Sequence, residues 1–231
     1  MTLISESGIY ILLYSFLSAV FFRTTYLRTN ASYETNGEKE GVNRSLEYIS
    51  NIHAVTVVLL VLFSYFATNS NSSTPLGYIP ILGFTAGYFI ADLLALPDWW
   101  KSYKESLPYI AHHLGYLLSL PLFIYCDNIK WLVFLIVAYE ISTPFVNYRK
   151  RMRREYGRES HFHKQSAFLM YIVFFMVRIV TIPFILFNIK KNYGEYNRCS
   201  KMLVYVLPIY IFLNIYWFSI MTKIFMKQIL L

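Results

Sequence analysis

Side chains that could carry acid–base chemistry lie within long apolar segments of this 231-residue sequence. They are Asp92, His112, His113, Glu140 and Arg178, with His53 near the start of a further apolar segment. A neutral imidazole can accept a proton or an acyl group near pH 7, and a neighbouring carboxylate can fix its tautomer. The pattern therefore predicts a histidine base or nucleophile in apolar surroundings.

We interpret His112 and His113 as the candidate catalytic pair, with Asp92 or Glu140 supporting the imidazolium. Structural interpretations stay open for each residue. Adjacent helical residues point about 100° apart, so one of the two histidines could serve packing alone. Asp92 could pair with a neighbouring loop, and Glu140 and Arg178 could be partners in a structural ion pair.

One segment adds a polar helix face, in the run Glu140-Ile141-Ser142-Thr143-Pro144-Phe145-Val146-Asn147. Positions 140, 143 and 147 share one face of a helix, and Pro144 should kink that helix. A kinked polar face is typical of a cavity wall, although the hydroxyls could instead bond to carbonyls of their own helix. The expected substrate-binding residues are His53, Ser142, Thr143, Asn147, Arg178 and Asn214.

The elements that hold these residues follow from composition. Hydrophobic residues make up 56% of the chain and charged residues 15%, against about 25% charged in soluble domains. The mean hydropathy is +0.42. Such a chain is neither a soluble domain nor disordered, and two cysteines give neither a disulfide framework nor a zinc pattern. The net charge of +8 is typical of basic loops beside a membrane, so no nucleic-acid partner is expected.

Seven apolar segments are long enough to approach or reach the length of a membrane span. They cover Gly8–Phe22, Asn51–Thr68, Leu76–Leu96, Pro108–Cys126, Ile129–Tyr148, Gln165–Ile189 and Lys201–Met221. The sequence predicts an all-α, multi-pass bundle, with spans two to seven around a polar cavity. Residues 1–42 would form the first span and a cytosolic loop, and residues 43–231 a six-helix membrane domain.

The Lys and Arg residues predict the orientation of the bundle. Fifteen of the 21 fall in the first, third and fifth loops and at the C-terminus, and five fall on the other side. Cytoplasmic loops carry the excess of Lys and Arg, so the N-terminus is predicted to be lumenal and the C-terminus cytosolic. This orientation places five polar residues in the cytosolic half, with Glu140 deeper: His53, Asp92, His112, His113 and Asn147. We therefore predict one chamber that opens toward the cytosol.

The order of these residues resembles the TLC-domain family of membrane proteins, which includes translocating-chain-associated proteins, ceramide synthases and CLN-type lipid proteins. The landmarks are Asn43-Arg44, His53-Ala54, Gly87-Tyr88 with Asp92, His112-His113, the Glu140–Asn147 run, Arg178, and Asn214 with Trp217. The resemblance implies a function in membrane lipid metabolism in the endoplasmic reticulum or connected membranes. Ceramide synthases carry an acidic motif after the histidine pair, whereas residues 114–126 here contain no acid. This difference speaks against N-acylation of a sphingoid base and leaves acyl transfer to another lipid open.

Two functions follow as hypotheses. The first is acyl transfer to a lipid acceptor, with acyl-CoA or a phospholipid as donor and no bound cofactor or metal. The second is a non-catalytic lipid-binding protein that regulates lipid composition or trafficking. A retinal-based pump is not expected, because Lys223 lies near the end of the last span, and five histidines are too few for a di-iron lipid oxidase.

Overall fold

The computed structural model describes residues 6–35, 41–67, 78–95, 106–126 and 130–229, and these are helical almost throughout, with no strand among them. The chain divides into two compact units, an N-terminal unit of Met1–Ala138 and a C-terminal unit of Tyr139–Leu231. The predicted all-α, multi-pass fold class is confirmed.

The N-terminal unit contains five helices in the described residues. They are α1 (Glu6–Thr35), α2 (Gly41–Ala67), α3 (Tyr78–Leu94), α4 (Ser106–Tyr125) and α5 (Lys130–Ala138). Helix α3 is the most enclosed by its neighbours, since eleven of its 17 residues are buried. Its central position lets it present side chains to α1, α2 and α4.

Helices α1 and α3 approach each other closely because two glycines of α3 lie at the contact. A Cβ atom on Gly83 would come within 2.5 Å of Tyr14 Cβ, and one on Gly87 within 2.4 Å of the Ser15 carbonyl oxygen. Ser18 Oγ donates a hydrogen bond of 2.8 Å to the Phe84 carbonyl across the same contact. Small residues four apart allow this backbone approach in membrane helices, so α1 is an integral part of the unit.

The C-terminal unit is built from three regular helices and a long final one in alternation with irregular turns. It runs through a 3₁₀ turn (Tyr139–Ser142), α6 (Thr143–Tyr156), α7 (His161–Phe174), a π-helical turn (Phe175–Ile179), α8 (Thr181–Asn192), a second 3₁₀ turn (Tyr193–Glu195) and α9 (Arg198–Ile229). Gly157, at φ +82°, ends α6, and its N–H donates to the Arg153 carbonyl. A residue with a side chain would be strained in this conformation.

Six helical stretches of the described residues are long and apolar enough to cross a membrane. They are Ser7–Tyr33, Gly41–Phe66, Leu107–Tyr125, Lys130–Tyr156, His161–Glu195 and Arg198–Lys227, and Tyr78–Leu94 is a shorter apolar helix. These seven correspond to the seven predicted spans. Most helices extend beyond the predicted bounds, so Arg28 and Arg44 lie within helices and not in the predicted first loop. The predicted second loop and the lysines of the third fall outside the described residues.

Candidate functional site

Three side chains of the N-terminal unit form a polar group, which we call the histidine cluster: Asp92 and His113, which are buried, and Tyr109, which is partly buried. Asp92 is the third residue from the end of α3, and Tyr109 and His113 lie one turn apart near the start of α4. The Tyr109 hydroxyl donates to Asp92 Oδ2, and His113 Nε2 lies 3.1 Å from the same oxygen. Asp92 and His113 are only 1% and 2% exposed, so apolar surroundings strengthen their attraction.

The contacts of His113 fix how its ring is used. Nδ1 lies 2.8 Å from the Tyr109 carbonyl oxygen, which can only accept, so Nδ1 carries a hydrogen. The Nε2–Oδ2 distance is that of an ion pair, although Nε2 lacks the alignment of a hydrogen bond. Nε2 therefore faces the Asp92 carboxylate in the protein interior. Both ring nitrogens of His113 are thus directed at groups inside the protein, Nδ1 at the Tyr109 carbonyl and Nε2 at Asp92.

His112 differs from its neighbour in burial and in direction. Its side chain is half-buried, and its ring is perpendicular to that of His113 at a centroid distance of 5.4 Å. Phe89 separates the two environments, since its ring lies edge-on to His113 at 4.4 Å and to His112 at 5.5 Å. His113 is thus buried in the protein interior, and His112 is partly exposed.

His53 occupies an aromatic box in the same unit. Its ring stacks on Tyr88 at 4.0 Å and 11° and is flanked by Phe22, Phe84 and Phe89. The side chain is fully buried, and neither ring nitrogen has a hydrogen-bond partner among the described residues. Buried polar atoms are nearly always paired, so packing does not account for a histidine here.

Arg178 is the centre of a second polar group, in the C-terminal unit, which we call the arginine cluster: Tyr139, Ser142, Arg178 and Asn214. Arg178 donates from Nε to Ser142 Oγ at 2.9 Å, from Nη1 to Asn214 Oδ1 at 3.2 Å, and from Nη2 to the Tyr139 carbonyl at 3.1 Å. Its guanidinium carbon lies 5.0 Å from the centre of the Phe174 ring. The charge is thus held by three neutral oxygens and a ring face.

Three residues of the arginine cluster lie on irregular turns of the backbone. Tyr139–Ser142 form a 3₁₀ turn just before Pro144, which has no N–H for a helical bond. The Tyr139 carbonyl accepts hydrogen bonds from Ser142 Oγ at 2.9 Å and from Arg178. Arg178 itself lies on the π-helical turn, a feature frequent at functional sites. Side chains in membrane proteins satisfy the backbone groups that such breaks release.

The rest of the predicted polar face lies close by along the chain. Glu140 is buried and accepts a hydrogen bond of 2.8 Å from Thr143 Oγ1, so two of the three face positions are in contact. Asn147 is also buried. Pro144 coincides with the break in the helix, as its chemistry predicts.

The structure brings together Asp92 with His113, Glu140 with Thr143, and Arg178 with Ser142 and Asn214. These groups belong to different units, so one chamber shared by His53, Asp92, His112, Glu140 and Asn147 stays a prediction. The sequence reasoning did not include Tyr109 or Tyr139. Tyr109 lies one helical turn before His113, a spacing that places side chains on one face, and this was the signal for it.

Fold and composition together define an integral, multi-pass, helical membrane protein. A family model described as the TLC domain matches residues 47–223, and this chain belongs to the TLC-domain family. Membership implies a function related to membrane lipids.

Several proteins are similar to this chain. TLC domain-containing protein 4-A of Xenopus laevis is 30% identical over 185 residues, which cover 74% of this chain and 67% of that protein. TLC domain-containing protein 4-B of Xenopus laevis is 26% identical over 179 residues, or 72% of this chain and 66% of that protein. Topoisomerase I damage affected protein 4 of Saccharomyces cerevisiae is 27% identical over 199 residues, or 77% and 69%.

The chain spans about two thirds of the length of most of these relatives, and 53% of TLC domain-containing protein 4-B of Danio rerio. No solved structure matches it.

Proposed function

We propose that the protein transfers an acyl group to a membrane lipid, with His112 as the reactive residue. The observation that supports the proposal is the histidine cluster, in which a buried Asp92 and Tyr109 hold His113 against His112. Because His113 is buried, with Nδ1 against the Tyr109 carbonyl and Nε2 against Asp92, we assign it a positioning role and give the chemistry to His112. Glu140 as a second supporting carboxylate is retained as part of the proposal.

The proposed reaction has two steps. A lone pair of the His112 imidazole attacks the acyl carbonyl of acyl-CoA or a phospholipid. The new N–C bond forms as the C–S or C–O bond breaks, and the thiol or alcohol leaves with the proton that the imidazole N–H gives up. The hydroxyl or amine of an acceptor lipid then attacks the acyl-imidazole, the N–C bond breaks, and the proton of the acceptor returns to the imidazole. Ser142, Thr143, Asn147, Arg178, Asn214 and His53 would orient the lipid.

The test is intact-protein mass spectrometry together with lipid analysis of cells that lack the protein. We expect an acyl adduct on the wild-type protein, its loss in His112→Ala, and a rate at least about 10²-fold lower. His113→Phe should retain some adduct, because it removes the supporting residue and leaves the nucleophile. A His112→Ala protein that restores the lipid profile at normal abundance would overturn the proposal.

A non-catalytic lipid-binding protein is the second candidate. It is favoured by a specific observation, which is that His113, one of the two candidate catalytic histidines, is buried between the Tyr109 carbonyl and Asp92. A stoichiometric intact lipid that copurifies with wild-type protein, without any adduct, would favour this function over acyl transfer.

We also propose residence in the endoplasmic reticulum or connected membranes, with a lumenal N-terminus and a cytosolic C-terminus. The asymmetry of Lys and Arg along the sequence supports this orientation. A C-terminal tag should be digested by protease added to sealed microsomes. Protection of that tag would reverse the proposed orientation.

A further inference from the structure

The guanidinium of Arg178 has more donors than partners. It carries five N–H groups, and it makes three hydrogen bonds, one from each nitrogen. Ser142 Oγ and the Tyr139 carbonyl are themselves 2.9 Å apart, so together they occupy the edge between Nε and Nη2. One N–H of Nη1 and one of Nη2 therefore remain without a partner among the described residues.

Aromatic rings restrict how a further partner can reach this group. The guanidinium carbon lies 5.0 Å from the centroid of Phe174 and 5.7 Å from that of Tyr139. The two N–H groups without a partner lie in the plane of the guanidinium, so a further partner would meet them in that plane. In-plane approach to two N–H groups is the geometry in which arginine recognises a carboxylate or a phosphate.

The charge of Arg178 is also bonded to neutral atoms alone. Its three acceptors are a hydroxyl, an amide oxygen and a backbone carbonyl. Glu140 acts on Arg178 electrostatically, but it is not among the acceptors of its hydrogen bonds. A buried cation normally bonds an anion, so the cluster has the chemistry of an anion site.

The depth of the cluster along its helices points to a ligand from the membrane. Arg178 is the 18th residue of the 35-residue stretch His161–Glu195, and Asn214 is the 17th of the 30-residue stretch Arg198–Lys227. Both are therefore midway along segments long enough to span the bilayer. An arginine at this depth indicates a functional site, and a lipid can present a charged group there while its chain stays in apolar surroundings.

We propose that Arg178 binds the oxyanion of a membrane lipid, which is the carboxylate of a fatty acid or the phosphate of a phospholipid. The bond runs from Nη1 and Nη2, while Ser142, Asn214 and the Tyr139 carbonyl hold the guanidinium in place. The lipid nature of the ligand rests on the proposed function, but binding itself requires no turnover.

The experiment measures binding to purified, delipidated full-length protein in a neutral maltoside detergent. The probes are oleate and oleoyl lysophosphatidate, with monoolein as the uncharged control. Wild-type protein should bind at least one anion with a dissociation constant at least about tenfold lower than that of monoolein. Binding of oleate alone identifies a carboxylate site, and binding of lysophosphatidate alone identifies a phosphate site. Binding of both identifies a general oxyanion site.

A pair of variants at one position tests the role of Arg178 without removing it. Ser142→Asp places a carboxylate at Nε and neutralises the guanidinium, so it should weaken anion binding about tenfold or more. Ser142→Asn, which has nearly the same size and no charge, should stay within about threefold of wild type. Arg178→Gln should lose binding, and Arg151→Gln, on an exposed arginine paired with Glu155, should not change it.

Equal binding by Ser142→Asp and Ser142→Asn, or equal affinity for oleate, lysophosphatidate and monoolein, would overturn this assignment. His112→Ala should bind the anion as wild type does. Wild-type protein that binds the anion but forms no acyl adduct would thus remove the catalytic proposal alone, and wild-type protein that forms the adduct without selective anion binding would remove the anion site alone.

Discussion

The histidine cluster and the arginine cluster both hold an ionisable side chain in the protein interior, but they do so with different partners. In the histidine cluster, Asp92 and Tyr109 each lie within four residues of an end of their helix. The carboxylate of Asp92 lies against the imidazole of His113, and both groups are ionisable. Arg178 lies midway along its helical stretch and is held by neutral oxygens. Near a helix end regular helices can bring two ionisable side chains together. At mid-length, Arg178 lies on a π-helical turn, and two of its three acceptors belong to the 3₁₀ turn Tyr139–Ser142.

This difference indicates how each cluster contributes to stability. A buried pair loses a great deal when one partner is removed, because the other charge is left alone. Hydrogen bonds between membrane helices average roughly 0.6 kcal/mol, so neutral acceptors lose much less. The comparison leads to predictions for single substitutions.

Asp92→Ala should have the largest effect. It leaves His113 and Tyr109 without their shared acceptor, and we expect the free energy of unfolding to fall by about 3–5 kcal/mol. Unfolding in mixed micelles at increasing fractions of sodium dodecyl sulfate, followed by circular dichroism, measures it. Asp92→Asn keeps an acceptor for Tyr109 and should lose less. If Asp92→Ala lowers the free energy of unfolding by less than Arg178→Met does, the contrast between the two clusters is contradicted.

Gly87→Ala tests how closely α1 packs against α3, and the same unfolding assay measures its effect. The new Cβ would lie 2.4 Å from the Ser15 carbonyl oxygen, which is part of the helix backbone and cannot rotate away. We expect a loss of about 1–3 kcal/mol from overpacking. Gly194→Ala, where a Cβ meets no atom within 4 Å, is the matched control. Equal stability of the two variants would show that the approach of α1 and α3 is looser than described.

Arg178→Met should cost about 2 kcal/mol at most, since it removes three hydrogen bonds of roughly 0.6 kcal/mol each and also the cost of burying a charge. The same unfolding assay measures the change. A loss of more than about 4 kcal/mol would mean that the guanidinium has the strength of a buried ion pair, and the contrast with Asp92 would disappear.

The sequence was sufficient for the fold class and for much of the polar pairing within each unit. Hydropathy located the seven apolar segments because each must satisfy its backbone internally, and the spacing of Glu140 and Thr143 placed them in contact. The π-helical turn at Arg178 was not predicted, because no sequence period signals one extra residue in a turn. The glycine contact of α1 with α3 was not predicted either. The need for glycine at positions 83 and 87 comes from the close approach of α1, which the sequence of α3 does not reveal.

His53→Phe should have the smallest effect, and in the opposite direction. Phenylalanine can keep the stack on Tyr88 and removes two ring nitrogens that have no partner among the described residues. We expect the protein to become more stable by about 1 kcal/mol, because a buried polar atom without a partner is costly. His53→Ala, which leaves a cavity in the aromatic box, should instead lose stability. If His53→Phe is more stable but no longer restores the lipid profile of cells that lack the protein, the imidazole serves function at the expense of stability. A less stable His53→Phe would show that the ring nitrogens contribute to the fold.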